Sequence, residues 1–339
     1  MLFRSPVSFA RLTLPSLLLL HFAIGVWVIR TSPSPVIDVY AIHRQSLDEL
    51  LRGENPFAMT FANIYSSTIM YGPGQILNGR LDFGYCYPPL NLLLALPGHV
   101  LFGDYRYSYL ACVSISGALL GLALPGRRAT LAAALLLLTP RGFYVIEHGW
   151  TDPVVALLVC STVICAVRAP RLLPVSLGLL LFSKQYTFLL IPAIIALLLF
   201  KQSWRLKRRT LLLSAAIGSA LTLPFLLWNP RAFLWDVVAL QFHSPFRPDS
   251  LSYLAFIASL GGPRLPSLVG FAAALPAVAL SLRRGARTAA GFAASTALTL
   301  LLFFAFNKQA FCNYYFLCIA GLCAAAAAWP ASEPAPSPS

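Results

Sequence analysis

LTLPSLLLLHFAIGVWVI, residues 12–29, decides the fold class. It follows two basic residues, Arg4 and Arg11, and contains no charge of its own. The run is too long for the apolar core of a secretory signal, and no Ala-x-Ala site follows it. It therefore reads as an uncleaved first membrane span.

The rest of the chain has the same character. Of its 339 residues 58% are hydrophobic and 11% charged, with a mean hydropathy of +0.74, where a soluble domain carries roughly 25% charged residues. A soluble enzyme is excluded. At about twenty residues per helix the chain has room for on the order of ten spans and no separate globular head. Further apolar runs lie at 107–125, 129–146, 153–167, 172–183, 186–200, 210–228, 264–282, 288–306 and 311–328. The expected architecture is an all-α, polytopic transmembrane bundle of about ten spans. It forms one integral-membrane domain over residues 1–329, with a disordered cytoplasmic tail at 330–339. The seven cysteines show no metal-ligand spacing and read as small core hydrophobes. Cys86 and Cys312 are the pair that one side of the membrane would allow to bridge, without geometric support from the sequence.

The net charge of +14 would point a soluble chain toward nucleic acid; here it records topology, and no nucleic-acid partner is expected. With the amino terminus in the cytoplasm, Arg4, Arg11, Arg127, Arg128, Arg168, Arg171, Lys201, Arg205, Lys207, Arg208, Arg209, Arg283, Arg284 and Arg287 all fall inside. Glu333 in the tail is the one acid among them, so the positive-inside rule is strongly met. The other face receives Asp38, Asp48, Glu49, Glu54, Asp82, Asp104, Glu147, Asp152, Asp236 and Asp249. Chemistry that needs a carboxylate is then extracytoplasmic, on the outer face of the cell membrane. Counting 90–102 as a crossing would invert every later loop. It is read as a helix in or dipping into the outer leaflet, which makes 31–106 one long extracytoplasmic loop with its own interfacial helices. The alternative is a true crossing at 90–102 with 172–200 merged into a single span.

Within that loop IDVYAIHRQSLDELLRGENPF, residues 37–57, has apolar positions at helical spacing, with Asp38 at the amino-terminal end where a helix dipole stabilises a carboxylate. A charge there can equally be a plain helix-end residue. FGYCYPPL, residues 83–90, presents three aromatics and two prolines ahead of an apolar segment, a pattern that also suits an interfacial anchor.

Together these stretches resemble the GT-C superfamily of polytopic glycosyltransferases, especially the bacterial family 87 branch, similar to mannosyltransferases that use polyprenyl-phosphate mannose. The resemblance rests on Asp38, Tyr40, Gly53, Asn55, Pro56 and Phe57, followed by Tyr85, Tyr87, Pro88, Pro89 and Leu90. It extends more loosely through EHGWTDP (147–153), LGLLLFSKQYTFLLIP (177–192) and FNKQAFCNYYF (306–316). Trp150 departs from the family's Gln at its position. The resemblance implies Lys184 and Lys308 as contacts to the donor.

Lys184 also has a reading of its own. The flanking runs 172–183 and 186–200 would rise only about 18 to 23 Å as helices, short of a roughly 30 Å core. Their hairpin apex then lies inside the membrane, where a lysine is tolerable beside an anion or a polar cavity. The competing reading is a lysine snorkelling to the surface. Glu147, His148 and Asp152 cluster at the outer ends of two spans and are candidates to converge on Asp38. Their oxygens and nitrogen suit a divalent metal, although no second histidine is near, and no cofactor is expected. His243, Arg247 and Asp249 lie in the outer loop 229–250, a solvated stretch or a substrate contact. Nucleotide-hydrolase and common protease motifs are absent.

The leading expectation is a membrane glycosyltransferase that moves a hexose, mannose in the family's common case, from a polyprenyl-phosphate sugar to a hydroxyl of a lipid, glycan or protein acceptor. Asp38 would be general base, with Lys184, Lys308, Asp152, Tyr40, Tyr87, His148 and Glu147 contacting substrate. The rival expectations are a lipid-linked-sugar flippase without chemistry, and a non-catalytic assembly subunit.

Overall fold

The first apolar run folds as one helix, α1 (Pro6–Thr31). The structure, a computed structural model, describes residues 6–65, 70–199, 204–283 and 285–330; Arg4, Lys201, Arg284 and positions 331–339 of the expected tail, Glu333 among them, lie outside the described residues. After α1 come α2 (Asp38–Leu51), the short strands β1 (Phe61–Ala62), β2 (Ile76–Leu77) and β3 (Arg80–Leu81), then α3 (Leu90–Phe102), α4 (Arg106–Gly121), α5 (Arg127–Leu137), α6 (Pro140–Glu147) and α7 (Asp152–Arg168). There follow α8 (Leu173–Leu181), a 3-10 turn (Gln185–Leu190), α9 (Ile191–Leu199) and α10 (Trp204–Trp228). Next, α11 (Pro230–Leu234) runs through a π-helical turn (Trp235–Ala239) into α12 (Leu240–His243). The chain closes with α13 (Tyr253–Ser259), α14 (Leu268–Arg283), α15 (Ala289–Ala305) and α16 (Cys312–Ala327).

The apolar runs thus become helices, but among the described residues only Leu12–Thr31 and Trp204–Trp228 are long and apolar enough to cross a membrane unbroken. The run at 129–146 is split into α5 and α6, which meet at 45°, because Pro140 cannot donate to the preceding turn. The long loop 31–106 departs from the all-helical expectation. It holds a small antiparallel sheet in the order β1-β3-β2, closed by Asn78-Gly79, both with positive φ (49° and 75°), as a two-residue hairpin turn demands.

Small residues set the core. Gly321 of α16 faces Ala297 of α15 so closely that an added Cβ would sit 3.0 Å from that alanine's own, the close approach that substitutes for apolar driving force inside a bilayer. α16 also packs on α7 and α5, and α4 on α7, α5, α1 and α3. All seven cysteines are free, so Cys86 and Cys312 are not bridged.

Two polar clusters fix the long loop to this body. Arg106, fully buried, donates to the Asp104 carboxylate and to the carbonyls of Ser32 (2.8 Å), Glu147 (2.8 Å) and Ile29 (3.4 Å). It thereby satisfies backbone acceptors at the ends of α1 and α6. His43 of α2 is wholly buried between Tyr85 Oη (3.0 Å from Nδ1) and Tyr109 Oη (3.2 Å from Nε2) and stacks on Tyr105 at 4.4 Å. Burial lowers its pKa to about 3, so the ring is neutral and offers one donor and one acceptor to the two hydroxyls.

The segment 172–199 turns back on itself. α10 runs beside α8 in the same direction, since Ser214 Oγ donates to the Pro174 carbonyl at 2.9 Å while Gly178 faces Ser214 and Gly218 faces Phe182. Were α8 and α9 one straight helix, the end of α9 would stand roughly 50 Å from the start of α10, far beyond what four connecting residues can span. The arms are splayed rather than paired: α8 lies on α7 and α10, α9 on α14 and α15.

A cavity between two lysine-bearing turns

The apex of that splayed hairpin, Ser183-Lys184-Gln185, breaks the α-helical ladder where α8 gives way to the 3-10 turn, and side chains supplement its local backbone bonds. Asn91 of α3 donates to the Ser183 carbonyl (2.5 Å), and Thr187 Oγ1 donates to those of Lys184 (2.6 Å) and Leu181 (2.9 Å). Gln185 Nε2 donates to the carbonyls of Cys86 (2.7 Å) and Val237 (3.1 Å), which draws the FGYCYPPL stretch and the π-helical turn onto the apex.

Lys184 is buried, and so is the anion beside it. Its Nζ lies 2.9 Å from Oδ2 of Asp152, which also accepts from Asn313 Nδ2 (2.5 Å), while Oδ1 accepts from Tyr186 Oη (2.6 Å). Asp152 occupies the first turn of α7 ahead of Pro153, where the helix dipole favours negative charge. The ammonium faces the rings of Tyr87, Tyr186 and Tyr314, each 5.4 Å from Nζ, at cation–π distance. A second lysine, Lys308, sits in the turn between α15 and α16. Its Nζ donates to the Phe242 carbonyl at 3.3 Å and to that of Ser244, and burial lowers its pKa.

Between the two turns lies a cavity of about 400 Å³. Lys184, Gln185, Tyr87 and Tyr314 line one part, Lys308 and Asn307 another, and Phe188, Val238, Phe242 and Phe271 form much of the apolar wall. Of the residues expected from sequence, Lys184, Lys308 and Tyr87 line this space, and Asp152 supports it through Lys184.

Asp38 stands beside the cavity rather than in its lining. Its Oδ2 accepts from Tyr71 Oη (3.0 Å), and Tyr65 Oη accepts from the Asp38 amide (3.2 Å) while lying 3.4 Å from Oδ1. Its charge reaches the cavity wall: the Tyr87 hydroxyl is pushed well up by burial, with Cys86, Tyr314, Asp38 and Asp152 adding to the effect. Tyr65, Tyr71, Asn91 and Asn313 are the contacts that sequence reasoning missed. A lone Asn inside an apolar run is the signal that would have found two of them.

Tyr40, Glu147 and His148 are placed elsewhere. The Tyr40 ring lies under Arg106 (4.8 Å to Cζ) and stacks on Tyr105. Glu147 contributes its backbone carbonyl to Arg106, and His148 stacks on Trp150 with Nδ1 3.0 Å from the Tyr144 carbonyl oxygen. Among the described residues no three His, Cys, Asp or Glu side chains come together as a metal site. In the loop 229–250, Arg247 pairs with Asp249 (2.7 Å) and lies over the Phe311 ring, and His243 Nδ1 is 2.9 Å from the Ala239 carbonyl oxygen.

No protein-family model and no curated protein matches this sequence. Two solved structures match its fold. ArnT from Cupriavidus metallidurans bound to undecaprenyl phosphate superposes with a TM-score of 0.56 at 17% identity, over 91% of this chain and 59% of ArnT. The same protein in the apo state gives 0.55 at 18%, over 91% and 58%. The chain thus spans a little under three fifths of ArnT's length. The likeness shows that this chain shares the helical fold of that protein.

Proposed function

We propose that this protein is a membrane glycosyltransferase that moves a hexose, mannose-like as in family 87, from a polyprenyl-phosphate carrier to an acceptor hydroxyl on the extracytoplasmic face. The observation that carries the reading is the cavity itself: an apolar and aromatic space with a lysine at each turn, in a fold shared with a protein solved bound to undecaprenyl phosphate. An isoprenoid phosphate combines those two demands, an apolar tail and an anionic head.

In this reading the acceptor oxygen attacks the anomeric carbon and the bond from that carbon to the phosphate oxygen breaks. Asp38 takes the acceptor proton. Tyr71 and Tyr65 hold its carboxylate in place. The departing phosphate takes the bonding electrons, and Lys308 with Lys184 stabilises its charge. Asp152 holds Lys184 at its post. The phosphate is already a good leaving group, so no carboxylic acid has to protonate it.

The test is label transfer from a polyprenyl-phosphate sugar to candidate acceptors by purified protein in liposomes. Asp38→Asn keeps shape and removes the base, and should abolish transfer with unchanged thermal unfolding. Normal turnover in that variant removes Asp38 from its role. Donor moving between leaflets without label in any acceptor identifies a flippase instead.

A further inference from the structure

The start of α10 carries a charge that nothing nearby balances. α10 ends at Trp228 and leads into the turns that border the cavity, so its start stands roughly 36 Å away along the helix axis. WRLKRR, residues 204–209, places Arg205, Lys207, Arg208 and Arg209 in its first two turns, with no acid among them. The three arginines are exposed and Lys207 is half-buried.

Lys207 is half-buried because it continues the stripe by which α10 packs on α8. The next positions of that stripe are Thr210 and Ser214, both buried, and Gly218. Ser214 Oγ donates to the Pro174 carbonyl and Gly218 faces Phe182, so the two helices keep step. Seven residues before Ser214, Lys207 falls at the level of the 3-10 turn that precedes α8 (Pro170–Leu172). That turn holds the exposed Arg171, and Arg168 stands just before it with Nε on the Ala123 carbonyl oxygen (2.8 Å). Cations from two elements therefore gather at one level. The side chains of Arg171, Arg205, Lys207, Arg208 and Arg209 have no hydrogen-bond or ion-pair partner among the described residues. Every acid among the described residues lies in 38–54, 82–104, 147–152 or 236–249, the segments gathered at the cavity end.

Next to these cations the surface is apolar. Leu172 and Val175 beside the seam, and Leu211 and Leu212 of α10, are exposed, and Trp204 is 73% exposed, as suits a ring at headgroup level. α10 is long and apolar enough to cross a membrane, so the cluster stands where one of its spans meets the surface. Like charges above an apolar strip fit an amphiphile with an anionic head, and each cation near such a surface adds to its hold.

We propose that the seam between the start of α10 and the 3-10 turn before α8 binds an anionic phospholipid of the leaflet opposite the cavity, its phosphodiester on Lys207 and Arg171 and its acyl chains along Leu172, Val175 and Leu211. The site is separate from the proposed reaction and needs none of it.

The test is native mass spectrometry of the full chain released from micelles holding equal amounts of phosphatidylglycerol and phosphatidylcholine. The parent should retain phosphatidylglycerol about tenfold in preference. Arg171→Gln with Lys207→Gln should bring the ratio close to one, while Arg231→Gln with Arg264→Gln, two exposed cations from the cavity end, should leave it unchanged. Equal retention of the two lipids by the parent overturns the proposal, and so does a preference that survives the seam variant or falls equally in the control. Should the seam variant fail to fold, Arg171→Gln alone decides, with an expected loss of about threefold. In the parent, phosphatidylglycerol should also raise the unfolding temperature where the same concentration of inorganic phosphate does not; an equal rise with phosphate assigns the cations to a free anion, and displacement of the lipid by polyglutamate assigns them to an acidic protein partner, either of which overturns the lipid site.

Discussion

The two lysine-bearing turns meet the same space with different chemistry. Lys184 is paired with a wholly buried carboxylate that two further donors hold in place, so the pair brings no net charge to the cavity. Lys308 donates to two backbone carbonyls, which are dipoles, and among the described residues it has no salt bridge. One ammonium is therefore tied to a carboxylate of the fold, and the other meets carbonyl dipoles. The residue type is the same, and the division of labour comes from what each ammonium touches.

The largest effect expected from this contrast is on folding. Lys184→Met strands Asp152 as a buried, unpaired charge, and breaking such a pair costs about 3–5 kcal/mol. Chemical unfolding in micelles should show that loss, and adding Asp152→Asn should recover most of it. A Lys184→Met protein as stable as the parent would break the comparison. Next in size is ligand affinity. Lys308→Met should weaken binding of undecaprenyl phosphate by roughly thirty- to a hundredfold, about 2–3 kcal/mol, with unfolding nearly unchanged. If instead both lysines weaken binding equally at equal stability, the Asp152 pair opens for the ligand and the two turns act alike.

The smallest effect is a pH dependence. Burial lowers the Lys308 pKa, so its ammonium, and the affinity it supplies, is complete at low pH and is lost on the alkaline side earlier than an ordinary lysine would lose it. Isothermal titration with undecaprenyl phosphate should show affinity falling with rising alkalinity in the parent and a flatter profile in Lys308→Met. Identical slopes would assign the dependence to another group.

Much of this was legible in residue order. The length of the runs around Lys184 required a turn inside the apolar region, and the structure supplies it together with the anion that such a lysine needs. That the anion is Asp152, 32 residues away, has no local signature: a pairing across helices depends on packing, and the Asp-Pro start of α7 reads equally as a plain helix amino terminus. Tyr40 shows the opposite failure. Its place near Asp38 in a motif suggested a shared task, but two steps along a helix turn a side chain by about 200°, and that turn carries it to Arg106. The strands have a simpler signal, the Asn-Gly pair at 78–79, within the stretch expected to hold only interfacial helices.

Arg106 also bears on the order in which the molecule is made. Its carbonyl partners lie 77 and 74 residues before it and 41 after it. A chain emerging amino terminus first presents this guanidinium to the end of α1 well before Glu147 exists. Until then one arm of the fork has lost half of its protein partners, and water or lipid headgroups must serve in their place. The arrival of α6 completes the set, so this one buried side chain is fully satisfied only when the ends of both helices are in place.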